Sequence, residues 1–371
     1  MHIPLTKYLT IIALLIASTP IWAINLTIDA SSARAVLRAV QDRALPHDEA
    51  IRIAEMKGNQ GLIQKAISYH VPATTASFAD ALLTAAKDIP SQSPSVKTFR
   101  LEEVKANSQT LTALLDQIDG DPEAFSGWVK KRVSFFSPTD SKADITGYLV
   151  VGGSSGGFAF DQPTFYLNLA YNNDFEVAKV VMAHELYHAV QIAHADPKVP
   201  WWSQPRARKG ANGTWTKQCE NTAQLFSELY QEGSASYVGD PLLLSERNGP
   251  VGKRMRDEMI RGLMTISHSV TLLELSIVGL AARPPVHYDK IYALGFYYPE
   301  PLYKIGYVMA RAIVEHEDPQ ALAMFLSRPG YAFAAHYLSL PKYGQDEKHP
   351  KLDPYVVAAL KRLTMGCRKP A

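Results

Sequence analysis

The sequence predicts a mainly helical α+β fold in which a small β-sheet packs over one long helix. Most of the chain has apolar residues at helical spacing, with turn residues between the helical segments. Two segments near the middle, residues 145–153 and 164–172, are rich in β-branched and aromatic residues and predict strands. Residues 175–195 follow them directly without Gly or Pro and predict a helix of about twenty residues.

Composition excludes several classes of protein. Of the 371 residues, 47% are hydrophobic, which suffices for a substantial core and excludes general disorder. The formal net charge is +2, and the charges are spread along the chain without long runs of one sign. This pattern lacks the basic footprint of a nucleic-acid-binding protein. We therefore predict no nucleic-acid partner.

Residues 1–23 predict a signal peptide. Lys7 supplies the positive charge, residues 8–17 form the apolar stretch, and Pro20 and Ala23 resemble the region before a cleavage site. The apolar stretch is shorter than the ~20 residues that span a bilayer, although a membrane anchor is the alternative. No later run is long and charge-free enough to span. The sequence thus predicts a periplasmic or secreted protein with no stable membrane insertion after leader removal.

The sequence contains two cysteines, Cys219 and Cys367. An even number of cysteines fits an oxidising compartment. Two interpretations stay open: a disulfide that closes a long loop, or two thiols that lie too far apart to react.

The predicted elements divide the mature chain at about residue 135. Residues 24–135 predict a helical N-terminal region, with helical periodicity from Ser31 onwards and a turn at Lys57–Asn59. Residues 136–371 contain the strands, the long helix and a mainly helical C-terminal part.

A glycine-rich segment, Gly152–Gly157, joins the two predicted strands. A phosphate-binding loop needs a helix immediately after it, and here more strand follows. We therefore interpret this segment as a flexible connection within the sheet. The strand residues Phe165–Asn168 are either purely structural or an edge strand that binds an extended substrate.

The long helix carries an HExxH motif, His184-Glu185-Leu186-Tyr187-His188. Residues four apart lie on one helix face, so His184 and His188 can bind one Zn²⁺ together. Glu185 projects beside the metal, where it can act as the general base on the attacking water. The motif predicts a zinc-dependent hydrolase.

A catalytic zinc site needs a third protein ligand, and three residues are candidates. His194 stands where the HExxHxxGxxH motif has its third histidine, but Gln191 replaces the glycine. The helix is then expected to continue and to turn His194 away from the ligand face. Glu232 lies on the next predicted helix, and Glu228 precedes it by one turn as an alternative ligand or as a carboxylate that orients a histidine.

The residues HELYHAVQ followed by EGSASYV resemble the HExxH…EGxAxY pattern of gluzincin-type zinc metallopeptidases. The resemblance implies a zincin-like domain, a Zn²⁺ cofactor and Glu232 as the third ligand. It also implies a peptide or protein substrate, and says nothing about the oligomeric state. Two other functions stay open: hydrolysis of a non-peptide amide such as a cell-wall component, and an inactive zinc-binding scaffold.

Members of such families commonly use a downstream tyrosine or histidine to stabilise the oxyanion. We predict Tyr307 for this role, with Tyr303, His287 and Tyr288 as alternatives. A loop between the two motif helices is basic, which either favours acidic substrates or is merely solvated. Its cations are Arg206, Arg208 and Lys209.

Overall fold

The computed structural model describes residues 24–139, 141–160, 162–194 and 217–367. The predicted signal peptide and the basic cluster Arg206, Arg208 and Lys209 lie outside the described residues. Both therefore stay predictions.

Helices form most of the described chain, as the sequence predicts. The first eight are α1 (Ser31–Ala39), α2 (His47–Ala54), α3 (Lys57–Ser68), α4 (Thr75–Ala86), α5 (Pro94–Lys97), α6 (Leu101–Ala106), α7 (Ser108–Gly120) and α8 (Trp128–Ser134). The motif region contains α9 (Phe175–Ala193) and α10 (Lys217–Val238). The C-terminal part contains α11 (Gly249–Met264), α12 (Ile266–Ala281), α13 (Tyr288–Phe296), α14 (Pro301–His316), α15 (Gly330–Tyr337) and α16 (Pro354–Thr364). Shorter helical turns are Glu123–Gly127, Pro241–Leu243 and Pro319–Phe325.

The strands form one four-stranded mixed sheet. They are β1 (Ile24–Asp29), β2 (Ala143–Val150), β3 (Gly157–Ala159) and β4 (Thr164–Asn168), and their spatial order is β1-β2-β4-β3. β2 runs parallel to both β1 and β4, whereas β3 is antiparallel to β4. Of the two interpretations of Phe165–Asn168, the structure supports the structural strand, because β4 is paired on both sides and β3 forms that edge.

The N-terminal region is mostly helical and also contributes one strand, β1, to the sheet, which the sequence does not predict. One helix of this region differs from the prediction. Lys57–Asn59 begin α3 instead of forming a turn. Gly58 lets α3 approach α1, where its N–H donates to Ser32 Oγ at 3.1 Å, and the buried Asn59 donates to the carbonyl of Ile53 at 2.7 Å.

The long helix α9 lies under the sheet, in contact with β2, β3 and β4. It is apolar on several faces because α8 and α10 cover its other sides, so that thirteen of its residues are buried. This arrangement confirms the predicted mainly helical α+β, zincin-like fold with a small sheet over the HExxH helix.

A disulfide joins Cys219 to Cys367 across a sequence separation of 148 residues, which confirms the first of the two interpretations. It ties the start of α10 to the end of the chain beyond α16. α10 also packs on α9, α14 and α15, and so is the central helix of the C-terminal part.

Within the described ranges, no single helix has the length and apolarity to cross a membrane. The pair α11 and α12 passes that test only when the two helices are taken together, and they are bent by 70° at their junction.

Candidate metal centre

The HExxH motif occupies the middle of α9. Asp174 caps the helix, since its side chain accepts hydrogen bonds from the N–H groups of Glu176 (2.9 Å) and Val177 (3.1 Å). The helix continues unbroken to Ala193, so His184 and His188 lie one turn apart on one face. Their Nε2 atoms are 3.0 Å apart and point to a common position.

Glu232 of α10 completes a group of three converging side chains. Its Oε2 lies 3.2 Å from His188 Nε2 and 3.4 Å from His184 Nε2. One ligand atom from each of the three residues lies within 4.8 Å of the other two. Two imidazole nitrogens and one carboxylate oxygen are a donor set that suits Zn²⁺ with a position left open.

Charge keeps Glu232 ionised. Burial raises the pKa of the Glu232 carboxyl, but the adjacent His188 and His184 outweigh it and hold that pKa well below its usual range. Burial lowers the pKa of His188, but the Glu232 carboxylate outweighs it and raises that pKa to about 9. Glu232 is therefore ionised, as a metal ligand must be.

Gln191 fixes the orientation of the His188 ring. Its Nε2 donates to the carbonyl oxygen of Gln231 (3.2 Å) and to Ser234 Oγ (3.0 Å). Since a carbonyl only accepts, the Oε1 atom of Gln191 faces His188 and accepts from Nδ1–H at 2.8 Å. Nε2 of His188 is consequently the atom turned toward Glu232 and His184. Such a hydrogen bond to a ligand histidine orients the ring and raises its basicity.

Glycines allow the surrounding elements to approach the centre. Gly239, just after α10, packs against the backbone of Val180 and the Cβ of His184. Gly157 of β3 lies directly against the Glu185 carboxylate, where a side chain would overlap it. Gly157 belongs to the segment that we interpret above as a flexible connection, and its role here is to make room for Glu185.

Glu185 is buried, with 7% of its surface exposed. Burial raises the pKa of its carboxyl, and the nearby His184 and His188 only partly oppose this effect. A raised pKa makes the carboxylate a stronger base, which suits a group that takes a proton from water.

The other two candidates for the third ligand do not belong to this group of converging side chains. His194 ends α9, and its Nε2 lies 2.7 Å from Ser141 Oγ. Glu228 is buried beside Glu232 but is not part of the ligand group. Burial and then the Glu232 charge raise the pKa of Glu228 to about 8.

The structure places Tyr303, and not Tyr307, at the centre. The Tyr303 ring is nearly parallel to that of His184, with the ring centres 6.3 Å apart. It lines a cavity that opens over His184, His188 and Glu232. Burial and the nearby Glu232 carboxylate raise the pKa of Tyr303 well above its usual value, so its hydroxyl stays protonated.

The expectation that Tyr307 reaches the site is corrected. Its buried side chain does not line the cavity, and its hydroxyl donates to Asp240 Oδ2 at 3.0 Å. The alternatives His287 and Tyr288 do not line the cavity either. His287 is exposed and pairs with Asp289 at 3.2 Å.

A cavity of about 800 Å³ opens over the three converging side chains. Its walls come from α3, the segment 154–157, β3, α9, α10, α11 and the region from α13 to α14. The edge strand β3 and the general-base candidate Glu185 therefore face the same space as His184, His188 and Glu232.

A family model described as "Putative zinc dependent peptidase (DUF5700)" matches residues 51–343, which is more than half of the chain and includes the whole metal centre. No curated protein and no solved structure matches the chain significantly. The family and the donor set of the centre together support Zn²⁺ as its metal.

Proposed function

Because the chain belongs to the DUF5700 family, whose model covers the whole centre, we propose that it hydrolyses peptide bonds with zinc held by His184, His188 and Glu232. The observation that carries this proposal is the convergence of those three side chains beside a buried Glu185 in one cavity. Bound zinc supplies Lewis-acid chemistry, which activates water and polarises the peptide carbonyl.

Glu185 is the general base of the proposed mechanism. Its carboxylate accepts a proton from the attacking water and returns that proton to the leaving amine. Burial raises the pKa of Glu185, which makes its carboxylate a stronger base toward the attacking water. Because Gly157 has no side chain, the Glu185 carboxylate can lie against the edge strand, where a substrate peptide would bind.

Tyr303 is the proposed oxyanion donor. Its hydroxyl is kept protonated and its ring lies beside His184, so it can donate to an oxygen that develops negative charge near the centre. This role replaces the one that the sequence analysis gives to Tyr307.

The edge strand β3 is the proposed docking site for the substrate main chain. Within the described part of the chain it is paired with β4 on one side only, and residues 157–159 line the cavity. An extended peptide can add to such an edge through backbone hydrogen bonds. The substrate is then a peptide or an unfolded segment of a protein.

We further propose that the protein is exported. The signal-peptide features of residues 1–23 and the Cys219–Cys367 disulfide support this location, since disulfides persist in oxidising compartments.

The test uses the full mature chain loaded with zinc, a panel of casein peptides, and a parallel panel of muropeptides. We expect the wild type to cleave casein peptides and Glu185→Gln to lose at least about a hundredfold in kcat while it keeps its zinc. Cleavage of muropeptides alone would contradict peptide specificity. Zinc binding without hydrolysis in either panel, unchanged in Glu185→Gln, would contradict an enzymatic function.

A further inference from the structure

One wall of the cavity carries a positive charge from the N-terminal part of the chain. Lys65 of α3 lines the cavity together with Tyr69. Its Nζ lies 4.9 Å from the centre of the Tyr69 ring and 5.5 Å from that of Phe158. Phe158 is a buried residue of the edge strand β3. The two rings therefore hold the ammonium group over the edge where a substrate would bind.

Lys65 has no carboxylate partner within salt-bridge distance among the described residues. The other lysine of the cavity, Lys304, is paired, since its Nζ lies 3.1 Å from Glu300 Oε2. Contact with aromatic rings attracts an ammonium group but leaves its three hydrogen-bond donors without a strong acceptor. The Lys65 side chain can thus receive an anion without first breaking an ion pair.

The position of Lys65 relates directly to the proposed chemistry. Phe158 follows Gly157, the residue that lies against the Glu185 carboxylate. One strand residue spans about 3.3 Å, so Lys65 reaches β3 about one residue from the general base. Burial is the main influence on the pKa of Glu185 and raises it, whereas the Lys65 charge is near enough to lower it.

The charges of the cavity differ from wall to wall. α3 packs on β2 and α1, and its charge at the cavity is Lys65. Two acidic residues, Glu258 and Glu300, line another part of the cavity. Glu258 belongs to α11 and Glu300 immediately precedes α14, and these two helices contact each other. Lys304 also belongs to this second wall, but its charge is paired with Glu300. An anionic group of a ligand is therefore favoured at the α3 wall, where Lys65 has no carboxylate partner among the described residues.

We propose that Lys65 binds a carboxylate of the peptide substrate within about one or two residues of the scissile bond. This inference rests on the proposed function and adds a substrate class to it. The carboxylate is either the C-terminal carboxylate of the peptide or an acidic side chain, both of which accept charge-assisted hydrogen bonds from an ammonium group.

The experiment compares matched peptides that differ in one group. One pair carries Glu or Gln beside the scissile bond, and a second pair ends in a free carboxylate or in an amide. Wild type is assayed beside Lys65→Met and Lys65→Arg. Lys57→Met is the matched control, because Lys57 is an exposed lysine at the start of the same helix and does not line the cavity.

We expect the wild type to prefer the carboxylate-bearing member of one pair by about tenfold or more in kcat/KM. Lys65→Met should abolish this preference, Lys65→Arg should retain part of it, and Lys57→Met should keep it in full. The pair that shows the preference identifies the source of the carboxylate. An unchanged preference in Lys65→Met, or no preference in the wild type, would overturn the proposal.

A binding assay separates this proposal from the proposed function. Calorimetry measures the Kd of the same peptides for zinc-loaded Glu185→Gln and for Glu185→Gln combined with Lys65→Met. Tighter binding of the carboxylate member, lost with Lys65→Met, supports Lys65 even if the wild type cleaves no peptide. Equal Kd values for both members in Glu185→Gln would overturn the role of Lys65 whatever the activity.

Discussion

Gly233 and Gly306 lie in direct backbone contact where α10 crosses α14. A Cβ on either residue would overlap backbone atoms of the other helix. Glu232 immediately precedes the first glycine, and Tyr303 lies one turn before the second. The close crossing therefore brings Glu232, the proposed third ligand, and the tyrosine beside His184 to the same place.

Gly306→Ala tests this crossing. Alanine has the higher helix propensity, but its Cβ meets the carbonyl oxygen of Leu229 and the Cα of Gly233. We expect a loss of about 1–3 kcal/mol in the free energy of unfolding, as for other overpacked cores. Urea denaturation measures it, with Gly120→Ala as the control, since a Cβ at Gly120 meets no atom within 4 Å. Equal stability of Gly306→Ala and the wild type would contradict the tight crossing.

Tyr303→Phe and Tyr307→Phe should have different effects. Removal of the Tyr303 hydroxyl should lower kcat by about a hundredfold or more, with zinc content unchanged, because an oxyanion donor is lost. Removal of the Tyr307 hydroxyl deprives Asp240 Oδ2 of this donor, while the N–H of Leu242 still donates to Oδ1, and should cost about 1–3 kcal/mol of stability without an effect on kcat. Steady-state kinetics and thermal unfolding of both variants check the pair. A larger loss of kcat in Tyr307→Phe would restore the prediction from sequence.

Gln191→Leu should weaken zinc binding. The substitution removes the acceptor for His188 Nδ1–H, and loss of such a partner typically lowers metal affinity about 10- to 100-fold. Competition with a chromogenic chelator measures the affinity. Gln191→Glu keeps an acceptor for His188 but places its other oxygen against the carbonyl oxygen of Gln231, so it should recover the affinity only in part. An unchanged affinity in Gln191→Leu would show that the ring is oriented by its packing alone.

Reduction of the Cys219–Cys367 disulfide should destabilise the fold. The bond closes a loop of 148 residues, for which the chain-entropy estimate is about 4–5 kcal/mol. The double variant Cys219→Ser, Cys367→Ser should lose a similar amount in a denaturant titration, and reducing agent should have no effect on it. If the oxidised wild type and this variant unfold at the same denaturant concentration, the bridge has no stabilising role.

The parts of the site that the sequence predicts are those set by local geometry. His184 and His188 are four residues apart on a capped helix, so their shared face follows from helical periodicity alone. The unbroken helix through Gln191 likewise removes His194 from the centre. In the sequence, Gln191 indicates only that the glycine of the HExxHxxGxxH motif is absent. Its hydrogen bond to His188 depends on α10, whose Gln231 carbonyl fixes the orientation of the Gln191 amide.

The parts that the sequence does not predict depend on long-range packing. Tyr303 and Tyr307 stand one turn apart on the same helix, and only the neighbours of α14 decide that one meets His184 and the other Asp240. β1 is a short strand whose partner begins at Ala143, far along the chain. Lys65 belongs to α3, which the sequence does not predict because the helix begins with the residues Lys57–Asn59 that are typical of a turn.

Metal analysis of the purified protein tests the central claim most directly, namely that His184, His188 and Glu232 form the zinc centre. Zinc is measured per chain in the wild type, Glu232→Ala and His194→Ala after dialysis against a weak chelator. We predict one zinc in the wild type and in His194→Ala, and loss of zinc in Glu232→Ala. Full retention in Glu232→Ala together with loss in His194→Ala would contradict it.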